Sequence, residues 1–269
     1  MALKWINTIA FAAMVAVNAL ANLLPIGGNT TGQVSQAYPN LFTPAPFTFA
    51  IWGVIYLLLA LFVVYQWGVM DGGIHSDGIR RAIGPWFAIS CGLNIMWIFL
   101  WHYDMIGLSA ITMVLLLISL IEIARQVSPA GGNFWQRMAA KAGFSLYFGW
   151  IIAATIANVS VLLTKLGWNG FGLPADFWTS AVLLIGAVIA CAAVIFGKSK
   201  SPLVGIAVMW AYCGILVRHI SPDYLGGAHP FVIAFAMLGE ALILVAVLMP
   251  YAMPLLTKVR PCKARGTVR

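Results

Sequence analysis

The 269-residue sequence is short of charge. Only 8% of its residues are charged, and only seven are acidic, whereas soluble domains carry about 25% charged residues. So few charges cannot give a globule of this size a polar surface, which excludes a soluble globular protein. The hydrophobic fraction of 62% and the mean hydropathy of +0.95 instead predict a membrane protein.

Patterns typical of catalysis, metal binding and nucleic-acid binding are also missing. The four cysteines form no CxxC pair, so unpaired buried thiols are expected. The absence of a Ser-His-Asp arrangement, a phosphate loop or paired carboxylates argues against an enzyme, and no metal-ligand spacing appears. The net charge of +8 comes without a nucleic-acid-binding motif, which leaves contact with anionic membrane lipids as its interpretation.

Long apolar runs predict the fold class. A backbone in lipid must satisfy its own hydrogen bonds, and these runs are continuous rather than alternating, so spanning helices are expected. Each span needs about 20 apolar residues. The sequence therefore predicts an all-α polytopic bundle of eight transmembrane helices, at about 5–25, 46–67, 84–102, 105–124, 142–163, 177–197, 202–219 and 230–252.

The distribution of basic residues predicts the orientation of these helices. With a cytoplasmic N-terminus, 13 of the 15 Lys and Arg residues fall on the cytoplasmic side, and only Lys165 and Arg218 fall opposite. This asymmetry obeys the positive-inside rule, so both termini are expected in the cytoplasm. The first span, with Lys4 before it and Ala19-Leu20-Ala21 near its end, also fits a cleaved signal peptide.

The loop near residues 165–176 is the predicted boundary between two parts. Residues 1–164 would form a five-helix membrane domain, and residues 165–269 a three-helix extension with a basic cytoplasmic tail. No internal repeat is evident, which weakens a two-fold transporter architecture. In the sixth span, small residues four apart are typical of close helix packing; they are Gly186 and Ala190, and Ala193 and Gly197.

Three predicted helices carry aromatic and amide side chains on one face, at the helical spacing i, i+3, i+7 in the second and third spans and i, i+3, i+11, one turn further, in the fifth. An amide in hydrocarbon is costly unless hydrogen-bonded, so the asparagines should face protein or a ligand. These residues are Phe49, Trp52 and Tyr56 in the second span, Asn94, Trp97 and Trp101 in the third, and Tyr147, Trp150 and Asn158 in the fifth.

These faces could meet beneath the uncharged loop 26–43, whose exit is fixed by Pro44 and Pro46. Aromatic walls and a few amides would then form a pocket for a large, flat, mostly apolar molecule. Plain helix packing is the alternative, because Trp and Tyr also gather at membrane interfaces.

The same motifs resemble those of the tryptophan-rich sensory protein family (TspO/MBR), which is related to the mitochondrial translocator protein. The matching residues are Pro44, Pro46, Trp52 and Tyr56 in the second helix, Leu93, Asn94 and Trp97 in the third, and Tyr147, Trp150 and Asn158 in the fifth. The resemblance covers about residues 1–164. Leu146 stands where the family usually has proline, and Phe47 where it usually has tryptophan.

This resemblance implies a five-helix bundle whose first loop caps a binding site for porphyrins, such as haem or protoporphyrin, or for sterol-like lipids. The favoured function is therefore binding, sensing or translocating such a ligand. No cofactor is assigned with certainty, although a porphyrin or haem is a candidate ligand. Membrane lipids are the other expected partners, and homo-oligomerisation is left open.

Ionisable residues within the spans suggest alternatives. Glu240 lies near the middle of the eighth span, where a carboxylate is costly, and it would carry the proton in a proton-coupled secondary transporter. A membrane scaffold that uses the sixth span is a third hypothesis. His219 and His229 flank one loop, but hydrogen bonding is favoured over haem ligation. At the same end, Arg218 could pair with Asp223 or the two could hold a ligand carboxylate, and pairing is the default expectation.

Overall fold

The computed structural model describes residues 1–24, 26–72, 75–127 and 134–258, and the side chains of all of these except residues 253–258. The described residues contain helices and turns but no strand. In chain order the helices are α1 (Ala2–Leu23), α2 (Thr31–Gln36), α3 (Ile51–Tyr65), α4 (Ser76–Ile83), α5 (Trp86–His102), α6 (Ile106–Gln126), α7 (Phe134–Gln136), α8 (Gly143–Lys165), α9 (Ala175–Ile195), α10 (Pro202–Ile220) and α11 (Pro230–Lys258).

The long helices confirm the predicted all-α polytopic fold. Among the described residues, seven helical segments are long and apolar enough to cross a membrane, and the bent pair of α4 and α5 supplies an eighth. The fifth span begins earlier than predicted, because α7 runs through a π-helical turn (Arg137–Ala142) directly into α8. Arg137 and Lys141 interrupt the apolar pattern there, so the sequence places the start of this span too late.

Helix α8 holds the bundle together. It packs against α6 on one side and against α10 on another, and it also contacts α3. A side chain at Gly149 would overlap the carbonyl oxygen of Val204 and lie 2.9 Å from the Cβ of Ala207. This glycine therefore lets α8 and α10 approach backbone to backbone. The predicted division at residues 165–176 stays a prediction.

Two of the small residues of the sixth span pack inside the protein. A Cβ at Gly186 would lie 2.6 Å from the hydroxyl oxygen of Tyr212 on α10, and Ala190 is fully buried. These two positions serve contact within the chain rather than with a partner, so the scaffold hypothesis gains no support from them.

The described cysteines are unpaired, as predicted. Cys91 is buried and Cys191 is partly buried. Cys213 is exposed on α10, which corrects the expectation that these thiols are buried. Cys262 lies outside the described residues.

The first loop folds into an ordered segment, which we call the lid (residues 26–45). Its helix α2 begins with a capping box, in which Thr30 and Gln33 each accept a hydrogen bond from the other's backbone. The lid is fixed to α5 by the indole N–H of Trp101, which donates to the Thr31 carbonyl at 3.1 Å. It is fixed to α10 by the Ala45 N–H, which donates to the Gly214 carbonyl at 3.0 Å.

Candidate functional site

The aromatic faces of α3, α5 and α8 meet beneath the lid. They enclose a space, which we call the tryptophan cavity, with about 40 Å³ available to water-sized molecules. That is enough for a few waters, since one water needs about 10–15 Å³ by such a measure. Six of the nine residues predicted from the stripes line it: Phe49, Trp52, Trp97, Trp101, Trp150 and Asn158.

Trp52 lies at the centre of this aromatic cluster. Its ring stacks on Tyr56 at 5.5 Å between centroids and lies 6.3 Å from Trp97. It also meets the edges of Tyr147 at 5.7 Å and Trp150 at 6.1 Å. Centroid separations of about 4.5–7 Å are favourable for aromatic pairs. The protein's own rings thus fill most of the space that the three faces enclose.

The other three predicted residues lie one layer behind the cavity wall. Asn94 is fully buried, accepts a hydrogen bond from the Asn18 amide at 2.7 Å and donates to the Tyr147 hydroxyl at 3.1 Å. Tyr56 stacks on Trp52. These groups support the wall rather than line it, so Asn94 satisfies its amide with protein, one of the two environments expected for it.

Two buried donors at the cavity have no partner among the described residues. The indole N–H groups of Trp97 and Trp150 make no hydrogen bond, although both residues line the cavity. Each orphaned donor costs about 1–3 kcal/mol. Asn158 also lines the cavity, and its carbonyl oxygen accepts a hydrogen bond from Ser109 at 2.7 Å. The residues of the cavity wall therefore include two unpaired donors.

The tryptophan cavity carries no charge. Its lining, made entirely of described residues, contains no Asp, Glu, Lys, Arg or His. Such a wall suits an apolar ring system and gives no counter-charge to a carboxylate. A ligand carboxylate would therefore have to remain outside this space.

Part of the wall was not predicted from the sequence. The lid contributes Ser35, Phe42 and Pro44, and α10 contributes Ala211 and Ile215. Sequence reasoning missed α10 because the motifs lie on earlier helices. Alanine and isoleucine at these positions look like ordinary lipid-facing residues, so the only available signal was Gly214, which permits close packing.

Other candidate residues lie away from this cavity. Glu240 does not line the tryptophan cavity, and one of its carboxyl oxygens is buried without a partner among the described residues. His219 and His229 lie with ring centroids 5.8 Å apart. Among the described residues no three His, Cys, Asp or Glu side chains are grouped to hold a metal.

Within the described residues, seven long apolar helical segments and the bent pair of α4 and α5 define this chain as a polytopic α-helical membrane protein. More narrowly, the chain belongs to the family of TSPO-like proteins, which it matches over residues 4–249. This match confirms the resemblance seen in the motifs and continues past residue 164 into α11. Comparison with curated proteins and with solved structures finds no significant match.

Proposed function

We propose that the protein binds a large, flat, mostly apolar molecule, of the porphyrin or sterol-like class, in the tryptophan cavity. The observation that carries this proposal is the pair of unpartnered indole N–H groups of Trp97 and Trp150. Buried donors are rarely left without a partner unless a ligand or water completes them. Binding is also the step that sensing and translocation would share.

Binding of such a molecule requires the cavity to open. Ligand sites usually enclose about 300–1,000 Å³, far more than the space of about 40 Å³ between these rings. Movement of the lid would open the cavity, because the lid covers it with Ser35, Phe42 and Pro44. The lid would have to release its hydrogen bonds to α5 and α10. Opening would separate these side chains from the aromatic rings of α3, α5 and α8.

The test measures affinity for protoporphyrin and, in parallel, for a sterol analogue. Trp97→Phe/Trp150→Phe keeps both rings but removes both donors. Each net hydrogen bond is worth about 1 kcal/mol, so the dissociation constant should rise about tenfold or more. The shift of the porphyrin absorption band gives this constant without relying on the intensity of tryptophan fluorescence.

Trp168→Phe/Trp178→Phe is the matched control. It removes the same number of indoles from the loop before α9 and from α9 itself, and neither residue lines the tryptophan cavity. This control should bind protoporphyrin as the wild type does. Wild-type affinity in the Trp97/Trp150 variant would contradict the proposal.

The orientation proposed for the chain places both termini in the cytoplasm and the lid on the opposite side. An even number of spans puts both termini on one side, and the Lys and Arg distribution chooses the cytoplasm. Single-cysteine labelling tests this: Ala37→Cys in the lid and His75→Cys just before α4, both at exposed positions, should react from opposite sides of the membrane in a cysteine-free background.

A further inference from the structure

A second, larger cavity lies at the lid end of the bundle, between the two predicted parts of the chain. We call it the junction cavity. It offers about 660 Å³ to water-sized molecules, and its walls come from the lid, the end of α8, the loop 166–174, α9, α10 and the loop before α11. This volume falls within the usual range of ligand sites, about 300–1,000 Å³.

The junction cavity contains one permanent charge. Arg218, near the end of α10, is the only Lys or Arg among its lining residues, all of them described, and no Asp or Glu lines it. Within the described chain no carboxylate lies within ion-pair distance of Arg218. Its hydrogen bond to the described part of the chain is a long one, 3.4 Å, in which it donates to the Thr43 carbonyl. The predicted Arg218–Asp223 pair is therefore wrong.

The nearby carboxylates are engaged elsewhere. Asp104 pairs with Lys165 at 2.7 Å, and Asp176 pairs with the His229 ring at 2.8 Å. Asp223 lies in its own loop, 3.5 Å from the Ser221 hydroxyl. Arg218 is partly buried, which strengthens its attraction for an anion. Its planar guanidinium matches carboxylate and phosphate groups.

Most of the remaining wall of the junction cavity is apolar, with polar side chains set among the apolar ones: Asn40, Ser160, Thr164, Asn169, Thr179 and His229. Two indoles of this wall are held in place. The indole of Trp178 donates to the Gly170 carbonyl at 2.7 Å, and its ring lies 5.0 Å from the ring of Trp168. Gly170 adopts φ +63°, and a Cβ there would lie 3.0 Å from the Trp178 ring. The two indoles thus form a preformed wall, because the loop that carries Trp168 turns at this glycine and accepts the hydrogen bond from Trp178 on α9.

We infer that the junction cavity binds an anionic amphiphile, whose carboxylate or phosphate group pairs with Arg218 and whose apolar chain lies against Trp168 and Trp178. The charge selects the head group, and the apolar walls and the size of the cavity select the chain. This site is separate from the tryptophan cavity, so either proposal can fail while the other stands.

The experiment measures quenching of tryptophan fluorescence by a ligand that carries a covalently bound bromine atom. The protein is the full chain with Trp97→Phe/Trp150→Phe, in a non-ionic detergent. A terminally brominated dodecanoic acid should quench with saturation, whereas the matching brominated alcohol should quench weakly. Arg218→Gln should raise the half-saturating concentration of the acid at least about tenfold and leave the alcohol unaffected. Removing Trp168 and Trp178 should abolish the saturable signal.

The controls address folding and the source of the anion. Arg125→Gln removes a cation that pairs with Glu122 at 2.9 Å on another helix and should leave quenching unchanged. Arg218→Lys keeps the charge without the planar fork and should bind the acid less tightly than wild type, which tests the site even if Arg218→Gln does not fold.

A parallel arm uses nanodiscs that contain brominated phosphatidylglycerol or brominated phosphatidylcholine. Arg218-dependent quenching by phosphatidylglycerol would identify a membrane lipid, and the same dependence for the free acid alone would identify a fatty-acid-like ligand. Equal quenching by acid and alcohol, together with no effect of Arg218 in either arm, would overturn the inference.

Discussion

The two cavities of this protein lie side by side and differ in almost every physical property. The tryptophan cavity is nearly filled by its own rings and has no charged lining residue. The junction cavity is more than ten times larger by the same measure and contains Arg218. Phe42 of the lid is the one described residue that lines both.

This contrast separates two ways of building a site. In the tryptophan cavity, the rings pack on one another, so a ligand must compete with those contacts and move the lid. In the junction cavity, a hydrogen bond holds Trp178 against the Gly170 loop and about 660 Å³ is open, so a ligand needs less rearrangement. The first site should respond to changes in the lid, and the second should respond to changes in charge.

Removing the ring of Phe42, which lies between the two cavities, should have the largest effect. Phe42 is 3% exposed, and Phe42→Ala deletes a buried ring, which typically costs about 3–5 kcal/mol of unfolding free energy. It should also join the two cavities, so that the brominated acid begins to quench Trp97 and Trp150. Thermal unfolding in detergent measures the first effect, and quenching in the Trp168→Phe/Trp178→Phe background measures the second.

Phe47→Ala is the control for this change. Phe47 is 43% exposed and meets the Trp210 ring at its edge, outside both cavities. A stability loss as large as that of Phe42→Ala, or no new quenching in the Phe42 variant, would argue that Phe42 does not separate the cavities.

The second prediction concerns the contact between α10 and the 3-10 helical turn Pro46–Ala50, which precedes α3. A Cβ at Gly214 would overlap the Thr48 hydroxyl and lie 3.0 Å from the Thr48 Cβ. Gly214→Ala should therefore push α10 away, destabilise the protein by about 1–3 kcal/mol, and move Ala211 and Ile215 out of the tryptophan cavity. Porphyrin affinity should change, while quenching by the brominated acid should change less.

Gly92→Ala provides the comparison, because a Cβ at Gly92 meets nothing within 4 Å. Alanine is the better helix former by about 1 kcal/mol, so this variant should be as stable as the wild type or more so. Thr48→Ala should partly restore the Gly214→Ala variant, since substitutions in direct contact are not additive. Equal stability of the two glycine variants would contradict the proposed contact.

The sequence predicted the helices well, because eight long apolar runs leave few other ways to satisfy a backbone in lipid. It predicted less about which side of each helix reaches the cavity. Asn94 and Asn158 carry the same chemical signal, yet Asn94 hydrogen-bonds Asn18 and Tyr147 behind the wall, whereas Asn158 lines the cavity. Depth within a bundle depends on neighbouring helices, which periodicity along one helix does not report.

The contribution of α10 was unpredictable for a related reason. Its wall residues are Ala211 and Ile215, and small or aliphatic side chains give no chemical signal in a membrane protein. The sequence singled out Arg218 because it falls on the side opposite to most Lys and Arg residues, but the default expectation was that it pairs with Asp223. Sequence separation alone could not show that the carboxylates nearby already have other partners.

The smallest predicted effect concerns the polar contacts of Asp104, which join the lid to the loop after α5 and to the end of α8. Asp104, at φ +60°, accepts a hydrogen bond from the Tyr38 hydroxyl of the lid and pairs with Lys165 at 2.7 Å. The hydrogen bond from Lys165, followed by that from Tyr38, holds the pKa of the Asp104 carboxyl below its usual range. Asp104→Asn keeps a residue that tolerates this backbone conformation but removes the charge.

The carboxylate of Asp104 should stabilise the folded lid above pH 4, near the ordinary pKa of about 3.9, and this stabilisation should be lost as the pH falls through its lowered folded pKa. Exposed pairs contribute about 0.2–1 kcal/mol, so the melting temperature of the wild type should fall slightly more steeply below pH 4 than that of Asp104→Asn.

At neutral pH, the Asp104→Asn variant should bind protoporphyrin faster, because the lid has lost one of its contacts with the helices. Asp223→Asn, in the loop after α10, should do neither. Identical pH profiles and binding rates in wild type and Asp104→Asn would mean that the lid is held by its buried contacts with α5 and α10 alone.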